Sequence, residues 1–394
     1  MPSGEKIGDP MSRSKSFLSQ PISSYYLLLV SAASLTGLGL VMVLSASSIH
    51  SLETSGSSFS IVLRQAEFLA FALPLGFIAS RLSVAQWKWI ARFSLIGSVI
   101  LLLLLQIPGL GNTVNGNTNW IIVGPIVFQP SEFVKFFMIL WAGSMLAKHE
   151  EARAARSNVI AILVPTFFAI MALIMLGNDL GNAAIFAAIL VCLLFISGIR
   201  LRLIGFTAVL GIALVGALII TVPNRMRRLL AVMHPFSPEF YKLSGWQPAH
   251  SIMGLASGGL FGVGLGASRQ KWGNLAEAHT DFIFSVIGEE LGLVGTLVVL
   301  FLFAAMIFAI FKIAIRASDP MIRYTSAGIG CWITVQVILN IGSATSVLPV
   351  VGVTLPLLSY GGSSLVAIYL ALGFVIGAAL RDPAINPLVK GAKK

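Results

Sequence analysis

The chain has 394 residues, 57% of them hydrophobic and only 10% charged, where a soluble domain carries roughly 25% charged residues. Mean hydropathy is +0.92, and 26 Lys and Arg against 15 Asp and Glu give a net charge of +11. Soluble enzyme, secreted disulfide-bonded domain and disordered chain are excluded. The two cysteines, Cys192 and Cys331, sit inside apolar runs without zinc-binding spacing, and the chain reads as an all-α polytopic membrane protein.

A bilayer core takes about 20 apolar residues per helix. Runs of this kind fall at 27–47, 59–79, 89–107, 133–147, 159–176, 183–197 and 203–222, and again at 291–311, 324–344 and 358–380. They predict about ten transmembrane helices. Residues 1–24 then form an N-terminal tail, 25–381 one transmembrane domain, and 382–394 a C-terminal tail. The first run is too long for the core of a signal peptide and reads as a retained helix.

Basic residues collect in alternate connections: Lys6, Arg13 and Lys15; Arg81, Lys88 and Arg92; Lys148, Arg153 and Arg156; Arg200 and Arg202; Lys312, Arg316 and Arg323; then Arg381, Lys390, Lys393 and Lys394. The intervening connections at 48–58, 108–129, 177–182 and 346–356 contain no Lys or Arg. Positive-inside asymmetry places both termini in the cytoplasm. The net charge is thereby an orientation signal and calls for no nucleic-acid partner.

The 223–280 loop, expected outside between helices 7 and 8, breaks the pattern with Arg225, Arg227, Arg228, Lys242, Arg269 and Lys271. Long loops escape the charge rule and are usually functional. This one is polar and aromatic at 235–246, then rich in glycine from Gly254 to Gly266. It reads as a segment packed closely at the membrane surface, in part re-entrant.

Few charges remain, and an ionisable group inside a membrane needs a partner or a function. Arg64 and Glu67 lie three apart in the second run, as do Glu132 and Lys135 at the outer start of the fourth, so each pair can meet on its helix. Either pair could line a substrate path, and Glu132 is also suited to a helix N-terminus. Asp179, in an outer turn, can cap the helix that follows. Glu277, His279 and Asp281 form a Glu-x-His-x-Asp cluster at the end of the basic loop. A carboxylate there can cap the helix and pair with Arg269 or Lys271. Equally, the cluster suits acid/base work on a phosphate-linked substrate, or divalent-cation binding through oxygen. A continuous helix from Asp281 to Phe311 outlasts the bilayer, so it must tilt or stand partly in the outer interface. Past the prolines at 349 and 356, Gly361, Gly362, Ser363 and Ser364 offer a helix start that could cradle an anion or permit close packing.

Several of these segments together resemble one family. Gly245-Trp246-Gln247, Ser257-Gly258-Gly259-Leu260-Phe261-Gly262, Glu277-Ala278-His279-Thr280-Asp281-Phe282, Gly288-Glu289-Glu290-Leu291-Gly292 and Leu355-Pro356-Leu357-Leu358-Ser359-Tyr360-Gly361-Gly362-Ser363-Ser364 are similar to the SEDS family of shape, elongation, division and sporulation proteins. Gln129-Pro130-Ser131-Glu132 with Lys135 fits the same pattern. Gly264-Leu265-Gly266-Ala267-Ser268-Arg269-Gln270-Lys271 resembles the division-type branch more than the elongation-type branch. Three places depart from the family: Asn119 where Arg is common, Asn178 where Pro is usual, and Val350-Val351 in place of Thr-Lys.

The resemblance implies a glycosyltransferase of the bacterial plasma membrane, at the division septum. It would polymerise lipid II into β-1,4-linked glycan and release undecaprenyl pyrophosphate. It implies Asp281 as catalytic base with Glu277 and His279 in support. It also implies a divalent cation (Mg or Mn), held by Asp281 and Glu277, and no organic cofactor. Arg225, Arg227, Arg228 and Lys271 are the expected phosphate contacts, and Trp120, Glu132, Lys135, Asp179 and Ser363 the expected substrate cavity. Expected partners are a class B penicillin-binding transpeptidase, other division proteins, membrane lipid, and lipid II with the growing glycan strand. A lipid II flippase and a noncatalytic division scaffold are the rival readings. The first predicts repeated halves with a midplane site, the second no need for the acidic cluster.

Overall fold

A computed structural model describes residues 20–391 apart from 115, 125, 153–155 and 221–222. Most of the 1–24 tail, together with Arg153, Lys393 and Lys394, lies outside the described residues, as does the Arg225 side chain. In chain order the elements are α1 (Pro21–Ser55), α2 (Ser60–Arg81), α3 (Val84–Leu104), strands β1 (Gly111–Val114), β2 (Asn117–Val123) and β3 (Ile126–Phe128), α4 (Pro130–Glu151), α5 (Arg156–Leu176), α6 (Leu180–Ile196), α7 (Leu201–Ile220), α8 (Pro223–Met233), α9 (Trp246–Ser257), α10 (Ile283–Arg316), α11 (Pro320–Ala344), α12 (Gly362–Arg381) and α13 (Asn386–Gly391).

Each of the ten apolar runs overlaps a helix. Among the described residues seven helices are long and apolar enough to cross a membrane, namely α1, α2, α3, α5, α10, α11 and α12, while α6 and α7 have shorter apolar stretches. Local chemistry places several boundaries. Ser83 and Gln86 cap α3 reciprocally, and Asp319 caps α11 ahead of Pro320.

Small residues hold the bundle together. On α12, Gly373 and Gly377 lie one turn apart against the backbone of Gly76 and Ser80 on α2, so close that an added Cβ would collide. Backbones approach this way in membranes because burial between helices gains nothing over lipid, and contact must come from packing.

The helical class is met, with one addition: the 108–129 connection carries a small three-stranded antiparallel sheet in the order β1-β2-β3. Thr118, Trp120, Ile121 and Ile122 favour strand, and the Asn-Gly at 115–116, with Gly116 at φ 84°, suits a tight hairpin. One expectation needs correction, since the helix after Asp281 is not continuous. It starts at Ile283 and breaks at Gly292 (φ 68°, ψ −165°).

That break explains the glycine-rich loop. An interrupted helix leaves backbone groups unpaired, which in a membrane is tolerated only where other protein satisfies them. Here Val263 N–H and Gly264 N–H donate to the Glu289 and Glu290 carbonyls at 2.9 and 3.1 Å, while Leu293 and Val294 N–H donate to Gly259 and Leu260 carbonyls at 2.9 and 3.1 Å. The close packing expected of this loop is made against the broken helix.

Candidate active site

At 35 residues and 1.5 Å per residue, α1 is about 52 Å long, beyond a hydrocarbon core of about 30 Å. The end of α1 that carries His50 reaches the Glu277–Phe282 segment, where His50 stacks on His279 with ring centroids 5.6 Å apart. Tyr360 also packs against His279, with ring centroids 5.7 Å apart. Glu277 adopts φ 59° and closes a tight turn, its carbonyl accepting from the Thr280 and Phe282 amides, both at 3.2 Å. The Thr280 hydroxyl donates to Glu277 Oε2 at 2.8 Å.

Three successive carbonyls anchor this segment to its neighbours. His279 O accepts from Tyr360 N–H at 2.9 Å, Thr280 O from Ser359 Oγ at 2.6 Å, and Asp281 O from Asn340 Nδ2 at 2.8 Å. The 350–361 loop is held in turn from α2, where Gln65 donates to Ser359 O and accepts from Gly361 N–H, both at 3.2 Å. Gly352 faces the Asp281 carboxylate, with a Cβ there falling 3.7 Å from Oδ2.

Burial, and then the nearby charge of Glu277, push the Asp281 carboxyl up to about 7. Burial also lowers the His279 pKa, against the attraction of Glu277, so the imidazole is held toward its neutral form. A carboxyl that titrates near neutrality is suited to taking up a proton.

Of the other expected site residues, Lys135 and Glu132 join this centre at one remove, while Ser363 and Asp179 brace neighbouring elements. Lys135 is fully buried and binds Glu132 at 2.6 Å and Gln336 Oε1 at 3.2 Å. Gln336 also accepts from Trp332 Nε1 at 2.6 Å and donates to Thr354 O at 3.0 Å, so the ion pair is wired to the loop that faces Asp281. Ser363 accepts from Gln129 N–H at 2.9 Å, tying the start of α12 to the start of α4. Asp179 caps α6 through Asn182 N–H at 3.0 Å and accepts from Asn119 at 3.3 Å. Trp120 is half-buried on β2.

The departures at 119 and 178 thereby gain a role. Asn119 gives Asp179 a neutral partner, and Asn178 takes φ 60°, which Pro cannot, while donating to Gly116 O at 3.2 Å.

One expected phosphate contact, Lys271, is spent elsewhere. Lys271 is buried and spends its ammonium on Gly266 O at 2.6 Å, Ser45 Oγ at 3.3 Å and Glu290 at 3.4 Å. It is a strut under the glycine-rich loop, because Glu290 would otherwise be a lone buried charge. Arg227 and Arg228 stand exposed on α8, with no ion pair among the described residues. Arg64 and Glu67 do not pair with each other either; both act on the Tyr360 hydroxyl, which burial raises above the usual phenol range and Arg64 lowers.

Gln65, Gln336, Asn340 and His50 were not singled out from the sequence. Their signal was present, since amides inside apolar runs are costly unless bonded.

A divalent cation fits only in part. Among the described residues no three of His, Cys, Asp and Glu are grouped to hold one. Glu277 and Asp281 are nevertheless close enough to repel, and magnesium is often held by one or two carboxylates completed by substrate phosphates and water.

Fold and site together define a polytopic helical membrane protein with the Glu277, His279 and Asp281 cluster where α1 ends and α10 begins. Residues 25–382 match the FtsW, RodA and SpoVE family, described as cell cycle protein, and the chain belongs to that family. It is 36% identical over 376 residues, 95% of this chain and 71% of the relative, to a probable peptidoglycan glycosyltransferase FtsW of Mycobacterium tuberculosis. The FtsW of Coxiella burnetii is 38% identical over 357 residues, covering 89% of this chain and 95% of that protein. Stage V sporulation protein E of Bacillus subtilis is 34% identical over 354 residues, 90% and 96% of the two chains. Among solved structures, one describing a peptidoglycan synthase complex that coordinates polymerization and crosslinking aligns with TM-score 0.73 at 26% identity, over 91% of this chain and 98% of that one. The RodA of Thermus thermophilus aligns at 0.67 and 27%, over 90% and 96%.

Proposed function

We propose that this protein is a peptidoglycan glycosyltransferase that extends glycan strands from lipid II at the outer face of the bacterial plasma membrane. The observation that carries the reading is Asp281, an anchored carboxyl with a pKa near 7 at the end of the bundle that charge asymmetry places outside.

In the reaction the C4 hydroxyl of the acceptor sugar attacks the anomeric carbon of the lipid-linked strand. The bond from that carbon to the pyrophosphate oxygen breaks, and the α-linkage becomes a β-1,4 bond. Asp281 accepts the hydroxyl proton as the new bond forms. Glu277 keeps the Asp281 carboxyl basic enough to do so, and His279, held toward its neutral form and in ring contact with His50 and Tyr360, packs beside the reacting groups. A divalent cation held by Glu277 with Asp281 would supply charge neutralisation at the departing pyrophosphate. Arg227 and Arg228, exposed on α8, are the pyrophosphate contacts on this reading, and Arg225 is the third residue assigned that role.

The division setting rests on the relatives named FtsW. On this reading the chain works at the septum beside a class B transpeptidase and other division proteins. The test supplies labelled lipid II and Mg²⁺ or Mn²⁺ to the purified protein with its transpeptidase partner, comparing wild type with Asp281→Asn. Polymer from wild type alone is the expected result. Equal polymer from both would remove Asp281 as base. None from wild type, beside an active homologue, would favour the flippase or scaffold.

A further inference from the structure

Asn340 lies in the interior of α11, 1% exposed, where a polar side chain needs a reason. Its single amide nitrogen donates to two backbone carbonyls, Asp281 O at 2.8 Å and Val353 O at 2.7 Å. Both partners are acceptors, so the amide orientation is forced. The side-chain oxygen is left buried and without a partner. That is an unfavourable state, which a residue serving only to pack α11 would avoid by being apolar.

The two carbonyls belong to opposite walls of the site. Asp281 precedes α10, and Val353 follows Gly352, the residue facing the Asp281 carboxylate. Tyr360 and Ser359 already fix the two preceding carbonyls, so the segment as a whole does not depend on Asn340. What Asn340 adds is a direct tie between Asp281 itself and Val353, the residue next to Gly352, which faces its carboxylate.

We propose that Asn340 is a positioning residue that ties Asp281 to Val353 and so sets where the Asp281 carboxylate meets the acceptor sugar. Gln336, one turn earlier on α11, holds the next carbonyl of the same wall, Thr354 O, at 3.0 Å. The α11 face thus acts as a backing plate for the loop. The inference rests on the glycosyltransferase reading and adds a residue to it. A displacement of the reacting group by about 1 Å can lower the rate about 100-fold.

The experiment compares Asn340→Ser, Asn340→Ala and Asn340→Leu with wild type and Asp281→Asn, each purified with the transpeptidase partner and given labelled lipid II. A hydroxyl can keep one of the two bonds, whereas Ala and Leu keep neither. The expected result is kcat lowered about 10- to 100-fold in Ala and Leu and less in Ser. KM for lipid II, the unfolding midpoint in detergent and partner binding should stay near wild type. A folded Ala or Leu variant with wild-type kcat overturns the proposal. So does kcat falling in step with folded yield, or failure of all three variants to fold, since either assigns Asn340 to fold stability. If Asp281→Asn abolishes polymer while the Asn340 variants keep it, only the positioning role fails. If Asp281→Asn polymerises normally, the reading beneath it fails.

Discussion

Asp281 must be ionised to accept a proton, while burial and the Glu277 charge hold its carboxyl up to about 7. Polymerisation should therefore climb with pH along a limb at or below about 7, because a bound cation would pull the value down. Glu277→Gln removes one of the two raising causes, so the limb should move to lower pH. A pH profile of initial rates at saturating cation checks it, and an unmoved limb would show that Glu277 does not act on Asp281. The stability sign is opposite. A carboxyl raised in the folded state contributes stability below its ordinary pKa of 3.8, and that contribution is lost as pH rises through about 7. The Glu132–Lys135 pair makes a second test. Removing one partner leaves a buried charge, at about 3–5 kcal/mol, so Lys135→Met should lower the unfolding midpoint sharply. Glu132→Gln with Lys135→Met should recover part of the loss. The Glu-x-His-x-Asp motif was legible in the sequence. Its raised pKa was not, because it depends on burial among chain-distant residues such as Gly352, which faces the carboxylate.

At the scale of elements, α10 and the 258–266 loop form one structure. Gly292 sits in a backbone region open essentially to glycine alone, and a Cβ there would strike the backbone of Leu260 and Gly262. Gly292→Ala should cost at least about 1–3 kcal/mol in strain and detach the loop from Glu289 and Glu290, with loss of polymer. Gly97→Ala on α3, where an added methyl meets nothing within 4 Å, should behave as wild type. Unfolding in detergent and the polymer assay compare the two, and equal behaviour would sink this account of the kink. The glycine enrichment at 254–266 was visible in the sequence and implied close packing. The helix it packs into was read as continuous, since Gly292 inside an apolar run looks like any other small residue of a membrane helix.

At the scale of the whole molecule, the charge alternation makes a topological claim. With Cys192 and Cys331 replaced, Ser57→Cys between α1 and α2 should react with an impermeant thiol reagent in spheroplasts, and Ala152→Cys after α4 should react only after lysis. The reverse pattern would invert the orientation and place Asp281 inside.

The sequence by itself determined the helical membrane class, the positions of the apolar helices, the family and the acidic motif, because apolar length, charge asymmetry and short motifs are local properties of a chain. The tertiary structure alone decided that Lys271 braces Glu290, that the 108–129 connection is a sheet, that α10 breaks at Gly292, and that Asn340 joins Asp281 to Val353. Each of these depends on which distant group fills a buried hydrogen bond or charge. In a membrane such groups find their partners across the bundle, and spacing along the chain carries no record of who meets whom.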